Sequence, residues 1–385
     1  MTQKYLDGVT EYAKTWPGPV TSLVGIETQA GVDMDQVETE MEHPDYGLEI
    51  RPDDPKALAS RLEQAAVVLM QLLPGELETA ALCHRLGKPV IFISEYTPQT
   101  EMQIIDLTTS NLLRRFRRYF YIRGVERKRR KMLRTHAAGL QCSGTPTYEL
   151  YSPFSPNPML FFDNRVKAED VIKLADLETK CARFSENAPL RLVFGGRITA
   201  MKGVLDLPNV AKALDRLGVP YTMDIYGSGD QESALRHQIT KAHLSDRVTL
   251  NPPLDFNTGW IPLLKRQADL FVCCHPQGDP SSTYSEVMSC GVPIVGYANE
   301  AFAGVVQVSG AGWSVPLRDT DAMAAGIARL HHNRDALQDM AKRGRDFAQE
   351  HCFETTFNRR VRHLRHASNI PEIMEGPHPD GRVDP

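Results

Sequence analysis

The chain contains 385 residues and has a formal net charge of −4, with 42% of its residues hydrophobic and 24% charged. This length exceeds the roughly 250–300 residues at which a single hydrophobic core stops growing, so we expect two domains. The net charge excludes a globally basic protein. No apolar run approaches the roughly 18 residues that cross a bilayer, and no signal-peptide pattern follows Met1, so we expect a cytoplasmic protein.

The cysteines indicate a reducing environment. Seven are present, none in a Cys-x-x-Cys pair, and the adjacent Cys273 and Cys274 would point to opposite faces of a strand. Neither a disulfide framework nor a zinc site has this spacing. We therefore expect reduced, mostly buried thiols.

In the first half of the chain, amphipathic stretches alternate loosely with short apolar runs. The periodicity predicts helices at 5–16 and 55–64, and strands at 20–24, 65–70, 89–94, 139–144 and 158–162. No strand is predicted before the first helix. We therefore expect the first domain to lack the first strand of a doubly wound sheet.

In the second half the alternation is regular. Strands are predicted at 190–196, 221–227 and 247–251, helices at 203–218 and 232–244, and the pattern continues to residue 332. This order indicates α/β domains with parallel, doubly wound sheets, whose ligands lie at the carboxyl ends of the strands. We predict a first domain at 1–175, a second at 176–352 and a disordered Pro/Gly-rich tail at 371–385.

Two turns of the second domain contain small residues directly after a strand. In GGRITAMKG, residues 195–203, glycines allow close backbone approach to a ligand, and Arg197 and Lys202 lie beside a helix start. Two cations in that position suit a diphosphate, although a glycine-rich turn with two solvated cations is the alternative. The turn YGSGD, residues 226–230, has one glycine too few for a dinucleotide fingerprint but could admit a flat base or a phosphate.

A third turn, HPQGDPSSTYSE, residues 275–286, leads into a stretch whose sequence is typical of a buried helix. Thr283-x-x-Glu286 fits a capping box, which would contribute only about 1 kcal/mol. The alternative is that amides of 282–285 hold an anion while Glu286 accepts two hydrogen bonds from a vicinal diol such as a ribose. We favour the ligand-binding interpretation because the three turns together describe one site.

Taken in order, GGRITAMKG, YGSG, the strand ending in His275 and SEVMSCGVPIVGY resemble the donor half of a GT-B glycosyltransferase. They are most similar to the large retaining family of bacterial sucrose, mannosyl and glucosyl transferases, over roughly residues 188–350. The resemblance implies two Rossmann-like domains that face a cleft, and a terminal helix at 353–370 that crosses back to the first domain.

The resemblance also implies the donor site. Arg197 and Lys202 would hold the diphosphate, Gly227 and Gly229 would line the nucleotide, and Glu286 would take the ribose hydroxyls. The expected donor-binding residues are Gly196, Arg197, Lys202, Gly227, Ser228, Gly229, His275, Ser282, Thr283 and Glu286.

Two positions depart from the family pattern. The family usually has a second Glu eight residues before Glu286, which touches the sugar, but this chain has Gly278, and Asp279 is the candidate substitute. The first-domain histidine of the family has no clear match, and Glu95 lies at a comparable place. The expected catalytic residues are Asp279, Glu95, Arg197 and Lys202.

The implied activity is retaining transfer of a sugar from a nucleotide-diphosphate sugar to a sugar or lipid-linked acceptor. We expect no cofactor and no metal ion, because Arg197 and Lys202 can stabilise the charge of the leaving diphosphate. Asp33-x-Asp35 and Asp319-x-Asp321 are interpreted as solvated acids. Two alternatives stay open: a non-catalytic nucleotide-binding partner of the same fold, and a nucleotide-sugar epimerase.

A basic segment stands apart from the rest of the chain. Residues 114–134 contain eleven Lys or Arg against one Glu, with aromatic residues interleaved. A solvated helix face, a nucleic-acid surface and an anionic membrane surface are the alternatives, and near a bilayer each cation contributes roughly 1 kcal/mol. We favour the inner face of the plasma membrane, since a lipid-linked acceptor would lie there. The expected membrane-binding residues are Arg114, Arg115, Arg117, Arg118, Lys128, Arg129, Arg130 and Lys131.

Overall fold

The computed structural model describes residues 1–26, 36–41, 43–184 and 188–370. The predictions for Asp33-x-Asp35 and for the tail at 371–385 lie outside the described residues. The described helices are α1 (Gln3–Thr15), α2 (Pro55–Glu63), α3 (Leu77–Arg85), α4 (Pro98–Thr108), α5 (Leu112–His136), α6 (Thr145–Tyr151), α7 (Leu174–Cys181), α8 (Leu207–Arg216), α9 (Glu232–Lys241), α10 (Ile261–Gln267), α11 (Thr283–Ser289), α12 (Glu300–Ser309), α13 (Thr320–His332), α14 (Arg334–Glu350) and α15 (Phe353–Ala367).

The described strands pair only in parallel sheets. They are β1 (Thr21–Val24), β2 (Gly47–Ile50), β3 (Val68–Gln71), β4 (Val90–Ser94), β5 (Ala137–Ser143), β6 (Pro158–Phe161), β7 (Leu190–Gly195), β8 (Tyr221–Tyr226), β9 (Val248–Asn251), β10 (Leu270–Cys273), β11 (Ile294–Tyr297) and β12 (Gly312–Val315). The predicted mixed α/β architecture is therefore confirmed.

The sheet of the second domain runs in the order β9-β8-β7-β10-β11-β12 among the described strands. Numbered within the domain, this is the order 3-2-1-4-5-6 of a doubly wound dinucleotide-binding sheet. The order reverses between β7 and β10, and the crevice beyond their carboxyl ends is where such sheets bind ligands. Residues of β10 are buried throughout, which explains its continuous apolar sequence.

The first domain contains a four-stranded sheet in the order β3-β4-β5-β6. α1 precedes β1 in the chain, and β1 and β2 pair with each other in a separate sheet rather than extending this one. Helices α3 and α4 were not predicted from the sequence. α8 begins at Leu207 rather than at residue 203, because Gly203 is left-handed and Pro208 lies in the first turn of α8.

Helix α15 packs against elements of the first domain. Arg360 donates to Gln141 Oε1 at 2.8 Å, and Gln141 donates to the carbonyl oxygen of Arg360 at 3.0 Å. The Arg360 guanidinium lies 4.3 Å from the ring centroid of Phe161, and Tyr12 of α1 contacts Phe357 edge to face at 5.0 Å. These contacts attach the C-terminal end of the described chain to α1 and to the four-stranded sheet.

All seven cysteines lie in the described segments and are free and buried. Burial raises the pKa of Cys142 to about 12, so this thiol stays protonated. Among the described residues, we find no helix with the length and apolar content needed to span a bilayer.

We expect His351 to destabilise the fold in acid. Burial between Phe162 and Phe347 lowers the pKa of His351 to about 4, and the nearby Glu350 carboxylate opposes this only partly. Because the folded-state pKa lies below the ordinary 6.5, stability is complete above pH 6.5 and is lost as pH falls towards 4.

Between pH 7 and pH 4.5, the free energy of unfolding of His351→Phe should therefore fall by about 2 kcal/mol less than that of the wild type. Urea unfolding at both pH values measures this difference. His237→Phe, at an exposed histidine, should behave as the wild type does. Equal pH dependence of wild type and His351→Phe would show that the imidazole is not desolvated.

Candidate functional site

The turn after β7 lies directly against the end of β10. Gly203 has a left-handed φ of +62°, and a Cβ atom there would lie 2.0 Å from the Cys274 carbonyl oxygen. A residue other than glycine would clash with backbone, which cannot move as a flexible side chain can. The close approach places Lys202, in the short 3₁₀ turn Ala200–Lys202, beside the loop that follows β10.

Lys202 is 7% exposed and forms an ion pair with that loop. Its Nζ lies 3.2 Å from Asp279 Oδ2. An ammonium group has three donors, so this contact leaves it able to donate to a ligand as well. The structure thus brings together two of the predicted catalytic residues, with the Asp279 carboxylate directed towards Lys202. Arg197 lies on the same turn as Lys202.

His275 lies two residues beyond the end of β10, next to this ion pair. Its side chain is 1% exposed, and neither ring nitrogen has a hydrogen-bond partner within the described residues. Burial and the positive charge of Lys202 hold the pKa of His275 well below its ordinary value, so the ring is neutral. A neutral imidazole offers one donor and one acceptor, and buried polar atoms of this kind normally have partners. His275 is therefore suited to bind a ligand that enters beside Lys202.

The glycines that were predicted to line the nucleotide lie where the turn after β8 packs against the turn after β7. A Cβ atom at Gly227 would lie 1.9 Å from the Gly196 carbonyl oxygen, and one at Gly229 would lie 2.4 Å from that of Ile198. Ser228 is exposed, and its carbonyl oxygen accepts from the Ile198 amide at 2.8 Å. This packing alone accounts for the small residues, so a nucleotide role for them stays a prediction.

Glu286 lies on α11 and is 6% exposed. The helix begins at Thr283 with Ser282 as its N-cap residue, and that residue makes no capping hydrogen bond. The capping-box alternative, with Thr283 as the cap, is therefore wrong. Burial raises the pKa of Glu286 above its ordinary value, although a hydrogen bond from the Ser282 hydroxyl and the charges of Arg165 and Lys4 act in the opposite direction.

The first domain supplies charged residues that the sequence did not identify. Lys4 of α1 forms an ion pair with Asp163, which follows β6. Desolvation would lower the pKa of Lys4, but Asp163 raises it above its ordinary value, and Glu286 acts in the same direction. Glu95 follows β4 and is open to solvent on one side, but the surrounding protein partly desolvates its carboxylate, and this effect together with the charge of Asp163 raises its pKa. Asp163 follows a strand as the predicted residues do, so the same logic could have found it.

A cavity of about 250 Å³ lies beside Glu95, at the carboxyl ends of β3 and β4. Glu95 and Gln71 line it together with apolar and aromatic side chains, and the Gln71 amide lies 3.4 Å from Glu95 Oε1. The other lining residues are Leu72, Leu73, Ile93, Ser94, Tyr96, Arg129 and Tyr151.

The basic segment forms most of α5, and not all of its cations reach the surface. Arg129 is 5% exposed and donates two hydrogen bonds to Glu101, at 2.9 and 2.7 Å, so its predicted membrane contact is wrong. Arg115 is paired with Asp106 and Arg130 with Glu126, which reduces their availability to a surface. The remaining predicted cations are exposed, namely Arg114, Arg117, Arg118, Lys128 and Lys131.

Comparison with known sequences finds a family match within the second domain. Residues 178–347 match the family model described as glycosyl transferases group 1, which confirms the resemblance over these residues. The putative colanic acid biosynthesis glycosyltransferase WcaL of Salmonella typhimurium is 25% identical over 46% of this chain and 45% of its own length. The amylovoran biosynthesis glycosyltransferase AmsK of Erwinia amylovora is 26% identical over 49% of this chain and 45% of its own. The chain thus spans about half the length of these curated relatives.

Comparison with solved structures shows the fold over a larger part of the chain. Sucrose-phosphate synthase from Thermosynechococcus elongatus has a TM-score of 0.62 at 16% identity and covers 94% of this chain and 92% of its own. Anabaena HepE in complex with UDP has a TM-score of 0.58 at 13% identity, and the match covers 82% of this chain and 85% of HepE. At these identities the likeness concerns the fold alone.

We expect Gly203→Ala to destabilise the second domain. The left-handed backbone costs an alanine about 1 kcal/mol, and displacement of the Cys274 carbonyl adds about 1–3 kcal/mol. Gly218→Ala is the matched control, because Gly218 has a φ of +67° but nothing lies within 4 Å of its added Cβ. Urea unfolding should show a loss of about 2–4 kcal/mol for Gly203→Ala and about 1 kcal/mol for the control. Equal losses would mean that the turn does not approach β10 this closely.

Proposed function

We propose, from the group 1 glycosyl transferase domain at residues 178–347, that the chain transfers a sugar from a nucleotide-diphosphate sugar to a sugar or lipid-linked acceptor. The observation that carries this proposal is the buried Lys202, held by Asp279 where the sheet order reverses. Retention of stereochemistry is proposed from the family resemblance. A role in polysaccharide or glycolipid synthesis follows from the relatives, which are named for colanic acid and amylovoran biosynthesis.

Donor binding uses the residues of the crevice. Lys202 and Arg197 bind the diphosphate, His275 donates or accepts a hydrogen bond beside it, and Glu286 accepts two hydrogen bonds from the ribose diol. Burial raises the pKa of Glu286, and the positive charges of Arg165 and Lys4 oppose this effect, so they favour the ionised form that accepts both bonds. The complex of HepE with UDP supports a nucleoside diphosphate as ligand of this fold.

We propose that the transfer needs no metal ion. Negative charge grows on the leaving diphosphate in the transition state, and cations that are already in place stabilise it without reorganisation. The pairing with Asp279 keeps the Lys202 ammonium fixed before the donor enters. The acceptor enters from the first domain, where the cavity beside Glu95 offers apolar walls for a sugar ring and a carboxylate for its hydroxyls.

Variants of the crevice test donor binding. A nucleoside diphosphate at a hundred times its Kd should stabilise the wild type by about 2.7 kcal/mol in thermal unfolding. Lys202→Met and Glu286→Gln should each bind about tenfold to a hundredfold more weakly, since each removes charged hydrogen bonds. Lys241→Met changes an exposed lysine of the same domain and should bind as the wild type does.

The same proteins separate the alternatives. A glycosyltransferase should slowly hydrolyse its nucleotide sugar, and it should do so in the presence of EDTA. Tight binding without consumption of the donor in any acceptor extract would favour a non-catalytic partner, and interconversion of two nucleotide sugars without acceptor would favour an epimerase. If no nucleoside diphosphate stabilises the wild type, the proposed function is wrong.

We propose further that α5 binds an anionic membrane surface on the cytoplasmic side. Its outward face carries large apolar side chains that are 63–78% exposed, next to arginines that are also exposed. Exposed apolar clusters of this kind are unusual unless they bind something. Apolar side chains can enter the headgroup region while cations contact lipid phosphates. The exposed apolar residues are Leu112, Leu113, Phe116, Phe120 and Tyr121.

Vesicle flotation tests this assignment. Wild type should float with vesicles of phosphatidylglycerol and phosphatidylcholine at physiological salt, and Phe116→Glu combined with Phe120→Glu should reduce the floated fraction at least about tenfold. Leu174→Glu combined with Leu217→Glu is the control, because these leucines are 51% and 52% exposed outside α5. A wild type that stays in solution, or that binds RNA instead with strong salt dependence, would overturn the membrane proposal.

A further inference from the structure

Position 278 lies where the two domains meet, and its missing side chain leaves room for another carboxylate. A Cβ atom on Gly278 would lie 2.3 Å from Glu300 Cγ and 2.8 Å from Glu300 Oε1. The φ angle of Gly278 lies outside the left-handed region, so glycine is required here by lack of space and not by backbone conformation. The first residue of α12 thus occupies the volume that a side chain at 278 would need.

Glu300 is held firmly on the side of the second domain. It follows Asn299, the N-cap residue of α12, whose side-chain oxygen accepts from the Phe302 amide at 2.9 Å. The Asn299 amide group donates to the carbonyl oxygen of His275 at 3.0 Å. Because His275 adjoins Lys202, these bonds fix the start of α12, and with it the backbone of Glu300, relative to the proposed diphosphate site.

The first domain binds one oxygen of this carboxylate. The hydroxyls of Thr97 and Thr100, at the start of α4, both donate to Glu300 Oε1, the latter at 2.5 Å. Thr100 also lies 3.2 Å from the Gly278 carbonyl oxygen, and the Gly278 amide donates to Gln103 at 2.9 Å. Within the described residues, Oε2 of Glu300 accepts no hydrogen bond from protein. A carboxylate with one oxygen held and one open is prepared to accept from a ligand hydroxyl.

We infer that Glu300 binds the donor's sugar, accepting a hydrogen bond from one of its hydroxyls through Oε2. This inference rests on the proposed function. The diphosphate at Lys202 would place the attached sugar beside Asp279 and hence beside the neighbouring Gly278. Asp279 is engaged with Lys202, so Glu300 is the nearby carboxylate that can serve the sugar. Its bonds to Thr97 and Thr100 would couple occupation of the sugar site to contact between the domains.

The inference predicts that positions 278 and 300 are exchangeable. Glu300→Ala should lower kcat/KM for nucleotide-sugar hydrolysis about tenfold to a hundredfold, since a charged hydrogen bond is lost. Its affinity for the nucleoside diphosphate alone should stay within about twofold. Gly278→Glu alone should lose activity, because the new side chain collides with Glu300. The double variant Gly278→Glu with Glu300→Ala should recover at least about a tenth of the wild-type rate, since a carboxylate returns to the same volume.

The wild type is first tested with UDP-glucose, GDP-mannose and ADP-glucose and with the nucleoside diphosphate of each. The variants are then measured with the nucleotide sugar and diphosphate that the wild type binds. Thr100→Val separates ligand binding from domain contact, because it removes one bond to Oε1 and leaves the Glu300 carboxylate in place. It should retain at least about a third of the wild-type kcat/KM.

Equal losses for nucleotide sugar and diphosphate in Glu300→Ala would overturn the inference, as would a Thr100→Val variant as impaired as Glu300→Ala. A double variant no better than either single variant would count against it in the same way. In these cases the wild type still binds and consumes its donor, so the proposed function stands. If the wild type neither binds a diphosphate nor consumes a nucleotide sugar, the proposed function itself fails.

Discussion

The site depends on the contact between Gly203 and the carbonyl oxygen of Cys274. This contact allows the turn after β7 to lie against the end of β10, where the order of the sheet reverses. It carries Lys202 into a buried position that the ammonium could not occupy without a counter-charge. Asp279, five residues beyond Cys274, supplies that charge. The charge of Lys202 then adds to burial in keeping the nearby His275 neutral.

Opposite charges alternate across the cleft and limit the cost of desolvation. Lys202 is paired with Asp279 on the second domain, and Lys4 is paired with Asp163 on the first. Glu286 lies near enough to Lys4 to be influenced by its charge, although the two residues belong to different domains. A diphosphate that entered this arrangement would meet cations already oriented by acids, which is the condition for electrostatic stabilisation without reorganisation.

The two domains are connected by contacts of different kinds. α15 attaches through a hydrogen-bonded pair, Gln141 and Arg360, and through aromatic packing, so this attachment is extensive and largely buried. At the cleft, by contrast, α4 meets Glu300 and Gly278 through a few hydroxyl and amide hydrogen bonds. The structure therefore combines an extensive buried connection with a second, polar connection that lies beside the proposed sugar site.

The sequence alone determined the α/β class, the strands of the second domain and the turns that bear the site. These depend on local periodicity and on glycines next to strands, which neighbouring residues suffice to specify. It also singled out Lys202, Asp279, His275 and Glu286 from their places at strand or helix ends, and the structure brings the first three together. It failed for α3 and α4; α4 packs mainly against α5 and buries Thr100 rather than an apolar face, so local periodicity does not indicate it.

Only the tertiary structure decided which of these residues face one another. It paired Asp279 with Lys202, buried Arg129 within a helix predicted to be a basic surface, and brought Lys4 and Asp163 to the cleft from positions 159 residues apart. It also filled the volume beside Gly278 with Glu300, which no local pattern around either residue indicates. The physical reason is that side-chain identity and spacing fix local geometry, whereas contacts between distant segments depend on how the sheets and helices pack.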